Sequence, residues 1–425
     1  MRVIKYPLKE EWPNLLKRPA SDSSAIRGKV AEILQAVKQD GDEVVKKFSL
    51  QFDFVSLSSF EVRKEEWEKS ASALSNELKQ GIDTAIKNIT AFHAAQKEKS
   101  VVVETSPGVS CYRKSVAIEK VGLYIPGGTA PLFSTLLMLG IPAVMAGCKE
   151  VIACTPSDKN GNVHPAVLYA AWKTGIHRLF RVGGVQAIAA MAYGTNTVPQ
   201  VYKIFGPGNQ YVTCAKMLLN GEGIAIDMPA GPSEVAVLSD ETCVAEFVAA
   251  DLLSQAEHGI DSQVILVSND ESVIEKVNAS VEAQLKSLPR KDIAQKALLN
   301  SKAILVKTLD EGIELLNEYA PEHLIISCKD AEAMAEKVVN AGSVFLGNYS
   351  PESAGDYASG TNHTLPTNGF AKAYSGVSLD SFVKKITFQK LTRDGLAGIA
   401  SAIEQMAMAE GLQAHSNAVT IRMKN

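Results

Sequence analysis

Two residues of one short motif have the types and the spacing of a metal site. Gln255 and His258 lie three positions apart in a segment predicted to be helical, so both side chains project from one helix face. Such pairs are common on helix surfaces, and a zinc site requires three or four N, S or O donors. Further donors must come from distant parts of the chain, where Asp356, His363 and His415 are available.

A carboxylate and an imidazole are adjacent in Ala320-Pro321-Glu322-His323-Leu324, just before a predicted strand at a sheet edge. Imidazole titrates near neutral pH, and a partly desolvated glutamate can be raised towards it, so the pair suits proton transfer. Adjacent Glu and His residues also occur by chance in solvated loops. The pair alone therefore leaves a catalytic and a solvated interpretation open.

Glycine-rich turns follow several predicted strands. In parallel α/β sheets such turns bind ligands, because backbone N–H groups and helix N-termini converge at the carboxyl ends of the strands. The Gly-x-Gly-x-x-Gly fingerprint of dinucleotide-binding proteins does not follow any predicted strand, and tight turns need glycine for conformational reasons alone. A dinucleotide site and a structural role both fit these turns, which are Pro126-Gly127-Gly128, Gly183-Gly184, Gly206-Pro207-Gly208 and Gly231-Pro232.

Composition excludes several classes of protein. The chain has 425 residues, of which 43 are basic and 47 acidic, giving a net charge of −4. Binding to nucleic acid or to a membrane is not expected, so small molecules or a second copy are the expected partners. The six cysteines form no Cys-x-x-Cys pair. The first residues lack the apolar core of a secretory signal and the apolar run 132–148 is too short to span a bilayer, so we expect a cytoplasmic protein.

Regular elements must position these residues. The amino-terminal part has helical periodicity, with N-cap candidates over 21–24 before an apolar stripe, and with a second helix over about 74–93. A strand pair around Pro107-Gly108 follows. Strands then alternate with helices, which predicts parallel sheets with helical crossovers. The predicted strands are 121–125, 151–154, 178–182, 201–205, 224–226, 264–267, 303–306, 324–326 and 344–346.

The predicted strands fall into two α/β blocks. The helical amino-terminal block needs a sheet to cover, so we expect it to pack with the later block, which leaves residues near 123–236 as an inserted domain. The segment that follows the Gly-, Ser- and Asn-rich stretch 350–369 has few helix breakers, and we expect a helical tail there.

Long motifs occur along the chain in the order typical of one family. The sequence closely resembles the histidinol dehydrogenases, and the resemblance covers nearly the whole chain. The segments of Gln255 and His258 and of Glu322 and His323 are among its motifs. The motifs are Val121–Gly128, Phe205–Asn209, Asp227–Glu234, Leu253–Gly259, Ala320–Leu324, Ser353–Tyr357, Ser359–Thr367 and Glu410–His415.

For the fold, the resemblance implies an α/β homodimer of two incomplete Rossmann-like domains with mainly parallel sheets, plus helical extensions at both ends. Its domains would be a helical extension over 1–24, a discontinuous domain over 25–122 and 237–370 that carries the metal and catalytic residues, an inserted cofactor-side domain over 123–236, and a helical tail over 371–425 that reaches the partner subunit's site.

For the function, the resemblance implies zinc-dependent, NAD-linked oxidation of L-histidinol to L-histidine through L-histidinal, the last steps of histidine biosynthesis. One Zn²⁺ per subunit would be held by Gln255, His258 and Asp356 of one subunit and His415 of the other. Glu322 and His323 would be the catalytic bases. Substrate contacts would come from Ser233, Gln255, His258, His323, Asp356, Glu410 and His415, and dinucleotide contacts from Tyr124, Gln186 and Asn209.

Other functions remain open from the residues themselves. A zinc hydrolase could use a metal-bound water with Glu322 as its base. A non-catalytic metal-binding protein could share the same fold, because fold does not dictate function. A related dehydrogenase could act on another amino alcohol, since the motifs for metal binding and proton transfer do not fix the pocket for the substrate side chain.

Overall fold

The computed structural model describes residues 1–19, 23–127 and 131–424. Two of the N-cap candidates, Ser21 and Asp22, and Gly128 of the first glycine-rich turn lie outside the described residues. Within the described ranges, each helix is too short or too polar to traverse a bilayer.

Strands and helices alternate along most of the chain, as the sequence predicts. The strands are β1 (Arg2–Lys5), β2 (Val102–Ser106), β3 (Val109–Ala117), β4 (Lys120–Tyr124), β5 (Glu150–Cys154), β6 (Arg178–Phe180), β7 (Lys203–Phe205), β8 (Ala225–Ile226), β9 (Glu234–Ser239), β10 (Gln263–Ser268), β11 (Lys302–Leu305), β12 (His323–Ser327), β13 (Ser343–Leu346) and β14 (Val383–Leu391). The helices are α1 (Trp12–Leu15), α2 (Ser23–Asp40), α3 (Asp42–Asp53), α4 (Lys64–Ser70), α5 (Asn76–Ala94), α6 (Phe133–Ala146), α7 (Pro165–Thr174), α8 (Gly184–Tyr193), α9 (Gln210–Gly221), α10 (Ala245–Ala256), α11 (Glu271–Leu285), α12 (Lys291–Leu299), α13 (Leu309–Tyr319), α14 (Ala331–Ala335), α15 (Glu352–Tyr357), α16 (Arg393–Ala409) and α17 (Gln413–Lys424).

The first α/β block forms a five-stranded parallel sheet in the order β6-β5-β4-β7-β8. The chain runs outward from β4 in both directions, so the order of strands reverses between β4 and β7. In doubly wound sheets, ligands bind in the crevice at the carboxyl ends of the strands at this switch point. The apolar run 132–148 forms α6 beside this crevice, and it is buried as the sequence predicts.

The second block forms a six-stranded parallel sheet in the order β1-β11-β10-β9-β12-β13. The prediction of mainly parallel α/β sheets is therefore confirmed. The sequence analysis missed β1 and β9. Strand β1 is a four-residue edge strand at the predicted helical amino-terminal extension. Strand β9 is a buried apolar run of six residues, and at that length periodicity does not separate a strand from a helix.

The amino-terminal helices cover the five-stranded sheet. Helix α2 packs on α8 and α9, and α5 packs on α6. Val30 and Leu34 of α2 are buried with Ile188 of α8, and Ile89 of α5 is buried with Leu137 of α6. The expectation that this helical block packs with the later sheet is therefore wrong, because the apolar faces complementary to its stripes lie on α6, α8 and α9. The domain boundaries themselves stay a prediction.

A third sheet joins the carboxyl-terminal part of the chain to the strand pair. Strand β14 pairs antiparallel with β3 along its whole length, from Val383 opposite Ala117 to Leu391 opposite Val109. Strand β2 pairs with the other side of β3. The predicted helical tail is correct for α16 and α17, but the segment 371–425 begins with short turns and a strand.

A buried ion pair fixes one glycine-rich turn of the five-stranded sheet. Lys216 and Asp227 form a buried salt bridge, and Lys216 Nζ also donates to the Gly206 carbonyl at 2.8 Å. The Gly206 N–H donates to Asp227 Oδ2 at 2.7 Å. Gly206 has a φ of +124°, and a Cβ there would lie 2.1 Å from the Tyr124 carbonyl oxygen. The turn therefore requires glycine and is held from two sides by the pair.

We expect the substitution Lys216→Met to destabilise the protein by about 3–5 kcal/mol, because it leaves the buried Asp227 carboxylate without its partner. Denaturation in urea measures the loss. Lys149→Met is the matched control, since Lys149 forms an exposed salt bridge with Glu119, and its loss should change the stability far less. Equal losses in the two variants would contradict the role given to the buried pair.

Candidate active site

Glu322 and His323 lie at the start of β12, inside the six-stranded sheet. His323 is in register with Val235 of β9 on one side and Ser343 of β13 on the other. The pair is therefore flanked by strands on both sides, whereas the sequence predicted a position at the sheet edge. Glu322 and His323 are 7% and 4% exposed. The solvated interpretation of this pair is therefore wrong, because both titratable groups are withdrawn from water.

The backbone of Glu234 contacts both members of the pair. Its N–H donates to Glu322 Oε2 at 2.9 Å, and its carbonyl oxygen lies 3.2 Å from His323 Nδ1. A carbonyl only accepts, so Nδ1 carries the proton and Nε2 of neutral His323 carries the lone pair. Nε2 is buried without a hydrogen-bond partner among the described residues, and it lies 3.6 Å from Asp356 Oδ1. The arrangement leaves Nε2 available as a base.

Gln255 and His258 come from the end of α10. Gln255 is buried in the last turn, and its Nε2 lies 3.4 Å from both Glu322 Oε2 and His323 Nδ1. The helix ends at Ala256, before His258, but the His258 N–H continues the turn by donating to the Gln255 carbonyl at 3.2 Å. Burial lowers the pKa of His258, which favours the neutral imidazole that metals bind.

Helix α15 adds two carboxylates one turn apart, Glu352 and Asp356. Ligand atoms of His323, Glu352 and Asp356 lie within 4.8 Å of one another, so they could hold a metal ion. Glu352 Oε2 is buried and has no hydrogen-bond partner among the described residues. Glu352 was not predicted as a site residue from the sequence, although its spacing of four from Asp356 places both side chains on one helix face.

The electrostatics of this cluster are dominated by buried acids. Burial raises the pKa of Glu322 to about 8. Burial by itself would lower the pKa of His323, but the carboxyls of Glu352, Glu322 and Asp356 outweigh it and raise that pKa to about 10. Burial also raises the pKa of Glu352 well above its ordinary value. Near neutral pH these raised pKa values keep Glu322 and Glu352 protonated, and a cation bound beside them would favour their carboxylate forms.

His363, considered above as a further ligand, has both ring nitrogens engaged. Its Nδ1 lies 2.9 Å from the Asp356 carbonyl oxygen, and its Nε2 lies 3.3 Å from Thr135 Oγ1 of α6. The ring thus links α15, at Asp356, to α6, the first helix of the five-stranded sheet. These contacts favour a structural role for His363.

The remaining residues expected at the substrate lie in two places. Ser233 immediately precedes β9, and its carbonyl accepts from the Gln263 N–H at 3.2 Å. Glu410 and His415 are exposed in the carboxyl-terminal arm, where α16 and α17 pack against each other. Within one chain, over the ranges that the structure describes, the cluster of potential metal ligands contains neither His258 nor His415.

The three residues expected at the dinucleotide follow strands of the five-stranded sheet. The Tyr124 hydroxyl accepts from the Gly184 N–H at 3.1 Å, at the start of α8. Gln186 Nε2 donates to Asp53 Oδ2 at 3.2 Å, a contact that the sequence did not indicate. Asn209 Oδ1 accepts from the backbone of α9 at 3.0 and 3.1 Å. All three therefore lie at the carboxyl ends of parallel strands, where ligands of such sheets bind.

Comparison with known proteins gives one consistent result. The family profile of histidinol dehydrogenase matches residues 16–423. The chain belongs to the histidinol dehydrogenase family. A histidinol dehydrogenase of Bacteroides thetaiotaomicron is 58% identical, over 100% of this chain and 99% of that protein. One of Yersinia pestis is 50% identical, over 97% of this chain and 93% of that protein.

Structural comparison agrees with this membership. The crystal structure of histidinol dehydrogenase from Elizabethkingia anophelis matches with a TM-score of 0.97 and 52% identity, over 100% of this chain and 98% of that chain. The α/β fold with Rossmann-like sheets is therefore that of the histidinol dehydrogenases. Membership of this family makes the chain an oxidoreductase of histidine biosynthesis.

The raised pKa of Glu352 predicts a pH-dependent effect of Glu352→Gln. Burial raises this pKa above the value of 4.5 that the unfolded chain retains, so the folded protein loses stability as the pH rises above that value. In chelator-treated protein at pH 7–8, we expect the variant to have a higher free energy of unfolding than the wild type. The difference should shrink towards acidic pH.

Urea denaturation of the wild type and the variant at several pH values measures this difference. Glu282→Gln serves as the control, because Glu282 is exposed on α11 and should leave the stability unchanged at each pH. A Glu352→Gln variant that is no more stable than the wild type at pH 8 would show that the buried carboxyl of Glu352 does not destabilise the folded protein.

Proposed function

We propose that this chain catalyses the zinc-dependent, NAD-linked, four-electron oxidation of L-histidinol to L-histidine through L-histidinal. The observation that carries the proposal is the buried pair Glu322 and His323. The pair supplies an unpartnered Nε2 of His323 beside Asp356 and Glu352. A hydroxyl group placed there meets a base that is oriented by the protein and withdrawn from water.

The residues present fit a divalent cation. The unpartnered Nε2 of His323, the unpartnered Oε2 of Glu352 and the excess of acids all favour a positive ion in the cluster. We assign the Zn²⁺ to Gln255, His258 and Asp356, with His415 of the partner subunit as a further ligand. The ion would anchor the amine and imidazole nitrogens of histidinol.

A bound cation also accounts for how His323 acts as a base. The three carboxyls of the cluster hold a proton on His323, since they raise its pKa to about 10. A cation among the same carboxyls compensates their charge and so favours the neutral imidazole. Nδ1 then remains bonded to the Glu234 carbonyl, and Nε2 takes the hydroxyl proton of the alcohol in the first oxidation.

Glu322 serves the second oxidation. Its carboxylate accepts from the Glu234 N–H and from Gln255, and its raised pKa suits proton exchange near neutral pH. It activates the water that adds to the aldehyde. Ser233 and Glu410, with the metal ligands and His323, contact the substrate in this proposal.

We place NAD at the crevice of the five-stranded sheet. Tyr124, Gln186 and Asn209 lie at the carboxyl ends of β4, β6 and β7, which supports contacts to the dinucleotide. A dinucleotide held by these residues would supply the hydride acceptor for each of the two oxidations. The contacts of His363 with Thr135 of α6 and with the Asp356 carbonyl of α15 connect the five-stranded sheet to the metal ligands. They keep the dinucleotide side and the metal side of the site in contact.

The exposed arm supports a homodimer with shared sites. Helices α16 and α17 carry exposed apolar side chains on the same arm as Glu410 and His415. Exposed apolar side chains that form a contiguous patch commonly mark a protein–protein interface. A second copy of the chain would cover them and bring His415 to the metal. The exposed residues are Met406, Met408, Leu412 and Ile421.

The reaction is tested by adding L-histidinol and NAD⁺ to the purified protein and following the absorbance of reduced nicotinamide. We expect two equivalents of NADH per histidinol, and loss of turnover with a chelator that zinc restores. His323→Asn should lower kcat by about 10²- to 10⁴-fold while zinc content and histidinol binding are retained, because it removes the base.

Absence of NADH formation by the zinc-loaded wild type would contradict the dehydrogenase and leave the zinc hydrolase, which needs no dinucleotide. Unchanged turnover of His323→Asn would contradict the role of His323. Reaction with other amino alcohols at equal kcat/KM would contradict selectivity for histidinol.

The shared site is tested by mixing two inactive variants, Gln255→Ala and His415→Ala. In half of the randomly exchanged dimers, one of the two sites has both native residues, so about a quarter of the wild-type activity should return. Mixing each variant with itself is the control. Confirmed exchange of subunits without any recovery of activity would show that His415 does not act across the interface.

A further inference from the structure

We infer that Arg18 is a positioning residue for the catalytic pair and acts through Glu234. The inference rests on the proposed function of Glu322 and His323. Arg18 lies in the amino-terminal segment, far from the pair in sequence, and among the described residues its hydrogen bonds go to Glu234, Tyr319 and Ala320. Its contacts are with the two backbone segments that hold the pair.

The first contact is a two-point bond to Glu234. Arg18 Nε donates to Glu234 Oε1, and Nη2 donates to Glu234 Oε2 at 2.8 Å. The two side chains are 17% and 3% exposed. The Asn368 N–H also donates to Glu234 Oε1 at 2.8 Å. The carboxylate is therefore fixed in one orientation inside the protein, and both of its oxygens are used.

Fixing the side chain of Glu234 also fixes its backbone, which orients the catalytic pair. The Glu234 N–H donates to Glu322 Oε2, and its carbonyl accepts from His323 Nδ1. The first bond aims the carboxylate of Glu322, and the second selects the ring nitrogen of His323 that is left as the base. One residue thus serves the bases of both oxidations.

The second contact of Arg18 is with the chain just before the pair. Nη2 donates to the Tyr319 carbonyl at 2.8 Å and to the Ala320 carbonyl at 3.4 Å, and the guanidinium lies 4.0 Å from the Tyr319 ring centroid. Ala320 has a φ of +53°, an uncommon conformation for a residue other than glycine. Arg18 therefore ties the start of β9 to the turn that leads into Glu322 and His323.

The geometry requires arginine rather than lysine. A planar guanidinium can bond a carboxylate at two points, accept stacking on a ring and still donate to a carbonyl, whereas a lysine offers one compact ammonium. Arg18→Lys keeps the positive charge beside Glu234 but loses the simultaneous contact with both segments. A loss of activity in this variant would therefore come from misalignment of Glu322 and His323 and not from loss of the positive charge at position 18.

We expect Arg18→Lys to lower kcat by about 10- to 100-fold in both the histidinol and the histidinal oxidation, because displacements of about 1 Å cost this much. KM for each substrate and the zinc content should stay within about threefold. Arg178→Lys is the control: Arg178 bonds the carboxylates of Glu61 at 3.1 Å and Glu150 at 3.2 Å, and it lies at the amino end of β6, opposite the dinucleotide crevice. Its kcat should stay within twofold.

The inference is overturned if Arg18→Lys is folded and keeps a kcat within twofold of wild type, or if kcat falls equally in Arg178→Lys. If Arg18→Lys does not fold, the double variant Arg18→Met, Glu234→Gln leaves no unpaired charge, and the same criteria apply to it. His323→Asn is measured in parallel. If that variant keeps full turnover, the proposed function fails, whereas full turnover of Arg18→Lys alone overturns only the role of Arg18.

Discussion

The crowding of buried carboxyls around His323 is the constraint on which the rest of the site depends. Glu322, Glu352 and Asp356 share a pocket with this one ring, and acids removed from water are stable only when they are protonated, hydrogen-bonded or paired with a cation. The protein supplies hydrogen bonds to Glu322 from a backbone N–H and an amide, but it leaves an oxygen of Glu352 without a partner. The pocket is thus costly to fold and well suited to hold a positive ion.

The pocket lies at an unusual end of its sheet. In parallel α/β sheets, ligands normally bind beyond the carboxyl ends of the strands. Glu234 and His323 instead stand at the amino ends of β9 and β12. His363 bonds the Asp356 carbonyl of α15 and Thr135 of α6, the helix that follows β4 of the other sheet. Groups near the amino ends of one sheet are thus connected to the carboxyl end of the other. Glu322 and His323 thereby lie in a different part of the fold from the glycine-rich turns of the five-stranded sheet.

The sequence predicted the parts of the molecule whose signals are local. Alternating apolar runs and glycine turns gave most strands of both sheets, and the motifs pointed to Glu322, His323, Gln255 and Asp356. It did not predict which sheet the amino-terminal helices cover, because an apolar stripe specifies a buried face but not its partner. Strand β14 was missed because its residues alternate with exposed charges, and its pairing with β3 is a long-range contact. Glu352 carries no signal apart from its spacing, since its importance comes from burial.

The amino-terminal segment shows how such long-range contacts support chemistry. Strand β1 adds to the edge of the six-stranded sheet beside β11, and the Tyr6 N–H continues this pairing by donating to the Leu305 carbonyl at 2.8 Å. Trp12 and Leu16 are then buried in the core that contains Tyr319. The segment therefore crosses one face of the sheet and ends with Arg18 at the start of β9. The edge strand β1 thus anchors the segment that carries Arg18 to Glu234. The orientation of Glu322 and His323 therefore depends on folding of the whole sheet.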